Sequence, residues 1–195
     1  MASKRRLGLE TSKTRSALMD AVGNVMREDG YGALTARSVA ERAGLKHQLV
    51  YYYFQTLEDL LIATYERHIE RYLARIELAL ESEQPLHAFW QVHANPTDAT
   101  LNSEFLSMAN HNEAIRTRTV EFGEHVRRLG FEKIEKLFRR PAGGQDAVNP
   151  FAVTMAITAI GSNLGLETAI GITGGHTELR ALIEWCIDQL EPTSP

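Results

Sequence analysis

Five polar side chains that can hydrogen-bond to nucleic acid lie within seven consecutive residues of the chain. They are Lys46, His47, Gln48, Tyr51 and Tyr52. Amide, ammonium and imidazole groups bond to the edges of bases, and hydroxyl groups reach phosphate oxygens. No other segment combines residue types that indicate so specific a partner. We therefore interpret this stretch as a surface that binds double-stranded DNA.

The spacing of apolar residues around this surface predicts two short helices joined by a tight turn. Val39 and Ala40 give the first helix an apolar face, and Gly44 can adopt a positive φ at no steric cost. On the second helix Leu49, Val50 and Tyr53 face inward, which leaves the polar residues outward. Two helices joined by a short turn containing Gly form a helix-turn-helix, whose second helix lies in the major groove of DNA.

The register of three residues strengthens this interpretation. Counted from Ala36, a small residue stands at the fifth place (Ala40), Gly at the ninth (Gly44) and a branched apolar residue at the fifteenth (Val50). The first must be small where the helices cross, the second must turn the chain, and the third must fill the gap between them. A helical hairpin of another function matches one of these features by chance far more often than all three.

The charge of the chain is divided unevenly. Residues 1–57 carry nine Lys/Arg against five Asp/Glu, a net charge of +4, whereas residues 58–195 carry twelve against twenty, a net charge of −8. The basic part contains the helix-turn-helix, so phosphates are attracted to one end of the chain. Residues 1–10 are predicted to be a flexible basic tail.

The start of the chain and its single cysteine predict a cytoplasmic location. Lys4, Arg5 and Arg6 precede polar sequence rather than the apolar run of a signal peptide. Cys186 has no second cysteine to pair with, which fits a reducing compartment.

The remaining sequence predicts an all-α fold, because helical periodicity recurs and no alternating strand pattern occurs. Thr11 or Ser12 caps a first helix that ends at Asp29-Gly30, and Thr35 caps the second. Four further helices are expected at Leu57 to Leu80, Leu86 to Val92, Glu113 to Phe138 and Thr177 to Leu190. Another is expected to begin at a cap formed by Thr97-Asp98 and to end near Asn110, and another to begin at Pro150.

The last two helices predict a dimer. The helix from Pro150 is apolar nearly all round, but Asn163, Glu167 and its glycines argue against a membrane span. Two apolar helices at the end of a chain this short are more than the core of one monomer needs. An isologous dimer with a four-helix interface is therefore expected, the alternative being that both helices are covered within one chain.

Residues 12–61 resemble the N-terminal domain of the TetR family of bacterial transcriptional regulators, above all in LTARSVAERAGLKHQLVYYYFQTLEDLL. Beyond this quarter of the chain, only the number, length and order of helices agree. The resemblance implies a DNA-binding domain at residues 1–56, with an effector-binding and dimerisation domain at 57–195 joined to it by a long helix. It further implies a homodimer on a palindromic operator, usually a repressor, released by a small molecule.

The same resemblance assigns roles to individual residues. Thr35 and Arg37 contact backbone phosphates, Lys46, His47 and Gln48 face base edges, and Tyr51 and Tyr52 hold the phosphates on either side of the groove. Three departures alter the expected DNA contacts. Gln48 stands where Gly or Pro is common, Leu49 replaces a usual Thr or Ser, and Leu57 replaces a lysine that contacts phosphate. The operator sequence therefore does not transfer from other members.

An effector pocket in the body would be lined by aromatic and polar residues of the later helices. The candidates are Phe89, Trp90, Phe105, Met108, Phe122, Asn163 and Glu167. Asn163 and Glu167 lie four residues apart on the most apolar helix, and buried polar groups need partners. Either they bond across the dimer or they face a mostly apolar ligand that has one polar end.

Two other functions compete with this interpretation. An enzyme or metal protein is disfavoured, because the seven histidines form no metal-binding spacing and no nucleophile elbow or phosphate-binding glycine motif occurs. We therefore expect no catalytic residue, metal or cofactor. A DNA-binding protein without an effector remains the alternative, and release of DNA by a metabolite distinguishes the two.

Overall fold

The computed structural model describes residues 12–138 and 148–191, and within these ranges the regular structure is entirely helical. The order of elements is α1 (Lys13–Asp29), a short 3-10 helix (Tyr31–Ala33), α2 (Ala36–Arg42), α3 (Gln48–Tyr53), α4 (Leu57–Leu80), α5 (Pro85–His93), α6 (Pro96–Ala109), α7 (Glu113–Phe138), α8 (Pro150–Ile170) and α9 (His176–Leu190). The all-α prediction is confirmed, whereas the predicted basic tail at residues 1–10 lies outside the described residues.

Side chains that accept hydrogen bonds from free backbone amides determine where several helices begin. Ser12 accepts from the amide of Arg15 at 3.1 Å and caps α1. At α4, Thr56 Oγ1 accepts from the amide of Asp59 at 3.0 Å, and the Asp59 carboxylate accepts in return from the amide of Thr56 at 2.9 Å. Asn149 caps α8 immediately before Pro150. Each cap satisfies amides that have no partner inside the helix.

The start of α6 corrects one sequence prediction. Thr97 and Asp98 were expected to cap this helix, but it begins at Pro96. The side chain of Asn95 accepts a hydrogen bond from the amide of Thr97 at 2.9 Å. Proline suits the first helical position, since its missing N–H has no partner there and its φ is already helical.

The described residues divide into two compact units, and each is built from separated stretches of chain. The first unit comprises residues 12–70 and 101–118. Its core joins α1, the helix-turn-helix and the first part of α4 to residues of α6 and α7. The buried residues of this core are Leu18, Met19, Ala21, Val22, Val25, Met26, Leu34, Val39, Ala40, Val50, Phe54, Leu60, Leu61, Tyr65, Leu101, Phe105, Met108, Ala109 and Ile115.

The second unit comprises residues 71–100, 119–138 and 148–191. Its core is formed by the second part of α4 together with α5, α7, α8 and α9, around the fully buried Phe89 and Trp90. The other buried members are Tyr72, Ile76, Leu80, Leu86, Ala94, Val126, Ile134, Val153, Ile157, Leu164 and Ile187. The functional division predicted at residue 56 remains a prediction.

Helix α8 packs closely, through small residues, on α5 and on the residue that follows its C-cap. A Cβ atom at Gly161 would lie 2.8 Å from the Cβ of His93, and one at Gly165 would lie 3.3 Å from the carbonyl oxygen of Asn95. Among the described helices, α8 is the one long and apolar enough to cross a bilayer by length and composition alone. One third (33%) of its most apolar window is buried within the chain.

Candidate nucleic-acid interface

The turn between α2 and α3 has the geometry that the sequence register predicted. Val39 and Ala40 on α2 and Val50 on α3 are buried in the core of the first unit. Gly44 adopts φ +66°, a left-handed conformation that side chains disfavour. The amide of Leu45 then donates to the carbonyl of Ala40 at 2.8 Å, which closes the end of α2. The turn redirects the chain into α3 within a few residues.

Helix α3 presents the predicted polar residues to solvent. Gln48, Tyr51 and Tyr52 are exposed on the helix, and Lys46 and His47 are exposed immediately before it. His47 occupies the N-cap position, but its side chain makes no capping hydrogen bond. The expectation that these five side chains point outward is therefore confirmed. Their contacts with DNA remain a prediction.

Tyr53 fixes the opposite side of α3 to the start of α1. Hydrogen bonding with the side chains of Ser12 and Thr14 lowers the pKa of Tyr53 below its usual value. The ring of Tyr52 meets the ring of Tyr53 edge-on, with centroids 5.0 Å apart. The exposed Tyr52 thus packs against a partly buried neighbour on α3.

The start of α2 holds the two proposed phosphate contacts, and both already have partners in the chain. Thr35 Oγ1 accepts from the amide of Ser38 at 3.0 Å, and Ser38 Oγ accepts from the amide of Thr35 at 2.9 Å. Arg37 pairs with Glu41 at 2.8 Å, and this hydrogen bond raises the pKa of Arg37. Because both side chains are highly exposed, this ion pair contributes little stability. Arg37 can therefore bind a phosphate in place of Glu41.

Other basic residues of the first unit have structural roles rather than facing a partner. Arg42 bonds to Glu28 and Asp29 and ties the end of α2 to the end of α1. The guanidinium of Arg15 lies 4.8 Å from the ring centre of Phe54. The net positive charge of the N-terminal part is therefore only partly available to DNA.

The proposed effector residues do not all lie in one unit. Phe89 and Trp90 are fully buried in the core of the second unit, and Phe122 packs at its edge. Phe105 and Met108 belong instead to the core of the first unit, where the ring of Phe105 lies 4.3 Å from that of Tyr65. Helical spacing showed that these residues face a core, but it did not show which core.

Asn163 and Glu167 correct a premise of the sequence analysis, which treated both as buried. Asn163 is exposed, and the side chain of Glu167 is 34% exposed. Both lie off the face of α8 that packs into the core. Asn163 Nδ2 donates to Glu167 Oε1 at 3.0 Å, and Glu167 Oε2 bonds to His176 Nε2 at 2.8 Å. Hydrogen bonds from His176 and Asn163 lower the pKa of the Glu167 carboxyl group.

A buried polar pair in the second unit was not predicted from the sequence. The hydroxyl of Tyr72 lies 3.0 Å from Nδ1 of His93. Burial lowers the pKa of His93 to about 4 and raises that of Tyr72. The available signal was that His93 follows Trp90 by three residues on the apolar face of a helix.

No group of three or more His, Cys, Asp or Glu side chains is placed to hold a metal ion within the part of the chain that the structure describes. The short turn at Gly44, the buried faces of α2 and α3 and the exposed polar face of α3 together define a helix-turn-helix DNA-binding protein with a helical body.

Residues 18–64 match the family model of the bacterial regulatory proteins of the tetR family, so this N-terminal segment is a domain of that family. A curated relative, the fatty acid metabolism regulator protein of Bacillus subtilis, is 30% identical over 60 residues. That alignment spans 31% of this chain and 31% of the relative, so the chain matches only about a third of the length of the relative.

Solved structures with the same fold match nearly the whole chain. A TetR transcription regulator from Haloarcula marismortui has a TM-score of 0.71 at 23% identity, over 90% of this chain and 97% of its own. The fatty acid degradation regulator FadR from Bacillus halodurans has a TM-score of 0.65 at 18% identity, over 94% and 97%. At these identities the likeness establishes the fold alone.

Proposed function

We propose that this protein is a transcriptional repressor that binds a palindromic operator as a homodimer and leaves it when a mostly apolar small molecule binds. The observation that supports this proposal is the exposed polar face of α3, where Gln48, Tyr51 and Tyr52 point outward and Val50 is fully buried beneath them. A helix placed in this way can enter the major groove without disturbing the core that supports it.

The proposed contacts with DNA are of two kinds, hydrogen bonds to base edges and hydrogen bonds to phosphates. Gln48 can bond in bidentate fashion to adenine, whereas Lys46 and a protonated His47 donate to guanine. The hydroxyls of Tyr51 and Tyr52 bind phosphates. Thr35 and Arg37 bind further phosphates at the start of α2, which also directs free amides toward negative charge. Leu57, where the family commonly has lysine, supplies no such contact.

We propose that two copies of the chain dimerise through α8 and α9. Large apolar side chains remain exposed along and beside these two helices: Phe151 (45%), Ile170 (65%), Ile172 (51%), Leu182 (53%) and Trp185 (59%). Exposed apolar side chains that lie close together mark a surface that another protein can cover. A two-fold pair would cover it and supply one reading helix for each half of a palindrome.

The effector is proposed to be small and mostly apolar, because the core of the second unit is built from aromatic and aliphatic side chains. Two similar proteins are named for the regulation of fatty acid metabolism and fatty acid degradation, which agrees with an apolar molecule. The competing proposal is a DNA-binding protein that needs no effector. Either protein would act in the cytoplasm.

Selection from random-sequence double-stranded DNA tests the proposal. The full-length protein should enrich a palindrome with half-sites separated by about one or two helical turns, and log affinity should fall steeply with log salt as phosphate contacts release counterions. Enrichment of no sequence, or of a site without two-fold symmetry, would contradict the proposal. Adding apolar extract from the source cells to a gel shift then distinguishes effector release from effector-independent binding.

A further inference from the structure

Two hydrogen-bonding nitrogens in the core of the second unit have no partner. Among the buried side-chain nitrogens and oxygens of residues 12–136 and 148–191, Trp90 Nε1 and His93 Nε2 are the atoms without a hydrogen bond. Trp90 is fully buried and His93 is 6% exposed. Burying such groups unpaired destabilises a protein, so each calls for an explanation.

The two residues that carry these nitrogens lie on one helix. Trp90 and His93 are three residues apart on α5, a spacing that places side chains next to each other. The ring of Phe89 packs edge-on against His93, with centroids 4.6 Å apart. On its other side His93 meets α8 at Gly161. The position of the imidazole is therefore fixed by its neighbours.

The tautomer of His93 follows from its bond to Tyr72. An imidazole lone pair is a stronger acceptor than a phenol oxygen, so the Tyr72 hydroxyl donates to Nδ1 at 3.0 Å. The proton of the neutral ring is then on Nε2. Burial keeps the ring neutral, with a pKa of about 4. Because indole Nε1 can only donate, both unpartnered atoms are N–H donors.

We propose that Trp90 Nε1 and His93 Nε2 together bind the neutral acceptor oxygen of an apolar effector, such as the carbonyl of a ketone, ester or amide. This inference rests on the proposed function and names the chemistry of its effector. A carbonyl oxygen has two lone pairs and can accept from both donors. The apolar part would contact the surrounding aliphatic side chains, including Ile76, Leu86 and Leu164.

A carboxylate fits the two donors less well than a carbonyl does. Both donors are uncharged, and a buried carboxylate needs a cation to offset its desolvation. The guanidinium beside Tyr72 belongs to Arg75, 5.1 Å from the ring centre, and Arg75 is already paired with Asp98. The geometry therefore favours a neutral acceptor over the charged end of an acid.

Three probes of matched shape test the inference on the full-length protein. These are 2-acetylnaphthalene, with a neutral carbonyl, 2-naphthoate, with a carboxylate, and 2-ethylnaphthalene, with no acceptor. The ketone should bind at least tenfold more tightly than either of the others in a calorimetric titration. Binding should also move the indole N–H signal of Trp90 downfield in a nitrogen–proton spectrum of the unsubstituted protein. The signal is assigned as the one that Trp90→Phe removes.

Substitutions then separate the hydrogen bonds from apolar packing. Trp90→Phe should weaken the ketone by about tenfold while changing the affinity of 2-ethylnaphthalene little, since one hydrogen bond is lost in the first case only. His93→Phe should have the same selective effect. The control is His125→Phe, a partly exposed histidine on α7, which should leave both affinities unchanged.

Several outcomes would overturn the inference. They are failure of the ketone to bind, equal affinity for all three probes, or an indole signal that does not move. A protein that selects an operator but shows any of these retains the proposed function and loses this inference alone. A protein that selects no operator loses the proposed function, whatever the probes show.

Discussion

Gly161 of α8 and His93 of α5 approach so closely that no side chain fits between the two helices. A Cβ atom at position 161 would lie 2.8 Å from the Cβ of His93 and 3.1 Å from backbone atoms of His93 and Ala94. These neighbours are backbone or directly attached to it, so they cannot rotate away. The close approach places His93 against α8 and fixes the buried end of α5.

Gly161→Ala should destabilise the protein by about 1–3 kcal/mol, because the added methyl group forces α5 and α8 apart. The matched control is Gly123→Ala, also inside a helix, where an added Cβ meets nothing within 4 Å. That change should be neutral or stabilise by up to about 1 kcal/mol. Urea unfolding of both variants measures the difference, and equal effects would disprove the close packing.

Glu191→Ala should destabilise the protein by about 1–2 kcal/mol through loss of the cap on α5. The Glu191 carboxylate accepts from the amide of Leu86 at 3.1 Å and that of His87 at 3.2 Å, and its side chain is 9% exposed. Glu132→Ala, at an exposed site on α7, should change stability by less than about 0.5 kcal/mol. Thermal unfolding of the two variants gives the comparison, and an effect no larger for Glu191 would argue against the cap.

The stability of the protein should fall in mild acid partly because of His93. Its folded pKa of about 4 lies below the ordinary value of 6.5, so the unfolded chain binds more protons between these pH values. Stability from this group is present above pH 6.5 and is lost as the pH falls toward 4, by about 3 kcal/mol in total.

His93→Gln removes this titration and keeps a polar partner for Tyr72. The free energy of unfolding, measured in urea at pH 7 and at pH 4.5, should therefore drop less in the variant than in the natural protein. Carboxyl groups contribute equally to both proteins and cancel in the comparison. Parallel curves across this pH range would mean that His93 is not buried as a neutral ring.

Substitutions on α3 should separate affinity from sequence preference. Tyr51→Ala removes a proposed phosphate contact and should weaken binding to every DNA sequence alike, whereas Gln48→Ala should change the preferred base pair at one position of each half-site. Binding of each variant to the selected operator and to its single-base variants measures both effects. Uniform losses in both variants would refute the assigned division of roles.

Trp185→Glu should convert the proposed dimer into a monomer, because a charge cannot be buried unpaired in an apolar interface. Leu78→Glu is the control, since Leu78 on α4 is also exposed, at 73%, and lies outside α8 and α9. Light scattering coupled to size exclusion reports the mass of each variant. A dimer that persists with Trp185→Glu would place the interface elsewhere.

The sequence predicted best those features that depend on neighbouring residues. The left-handed turn at Gly44 and the limits Leu57–Leu80 of α4 follow from conformational preference, end caps and periodicity, all of which act within a few residues. The outward direction of Gln48 and Tyr51 followed from the same spacing once Val50 was placed inside.

Features that depend on distant parts of the chain were not predictable in this way. Phe105 and Met108 had the spacing of core residues, but only tertiary packing assigns them to the first unit. Asn163 was taken as buried because its helix is apolar nearly all round, yet the side facing the core is set by the contacts of Gly161 with His93 and of Gly165 with Asn95. The unpartnered nitrogen of His93 likewise depends on neighbours far away in sequence.

The two-part construction of the first unit limits how its DNA specificity can be transplanted. Leu101, Phe105, Met108 and Ile115 complete the core that supports α1 and the helix-turn-helix. A chimaera that joins residues 1–56 to the body of another regulator would lose these four side chains. Engineers who wish to exchange operators between regulators should therefore transfer residues 101–118 as well, or recruit equally shaped replacements from the recipient.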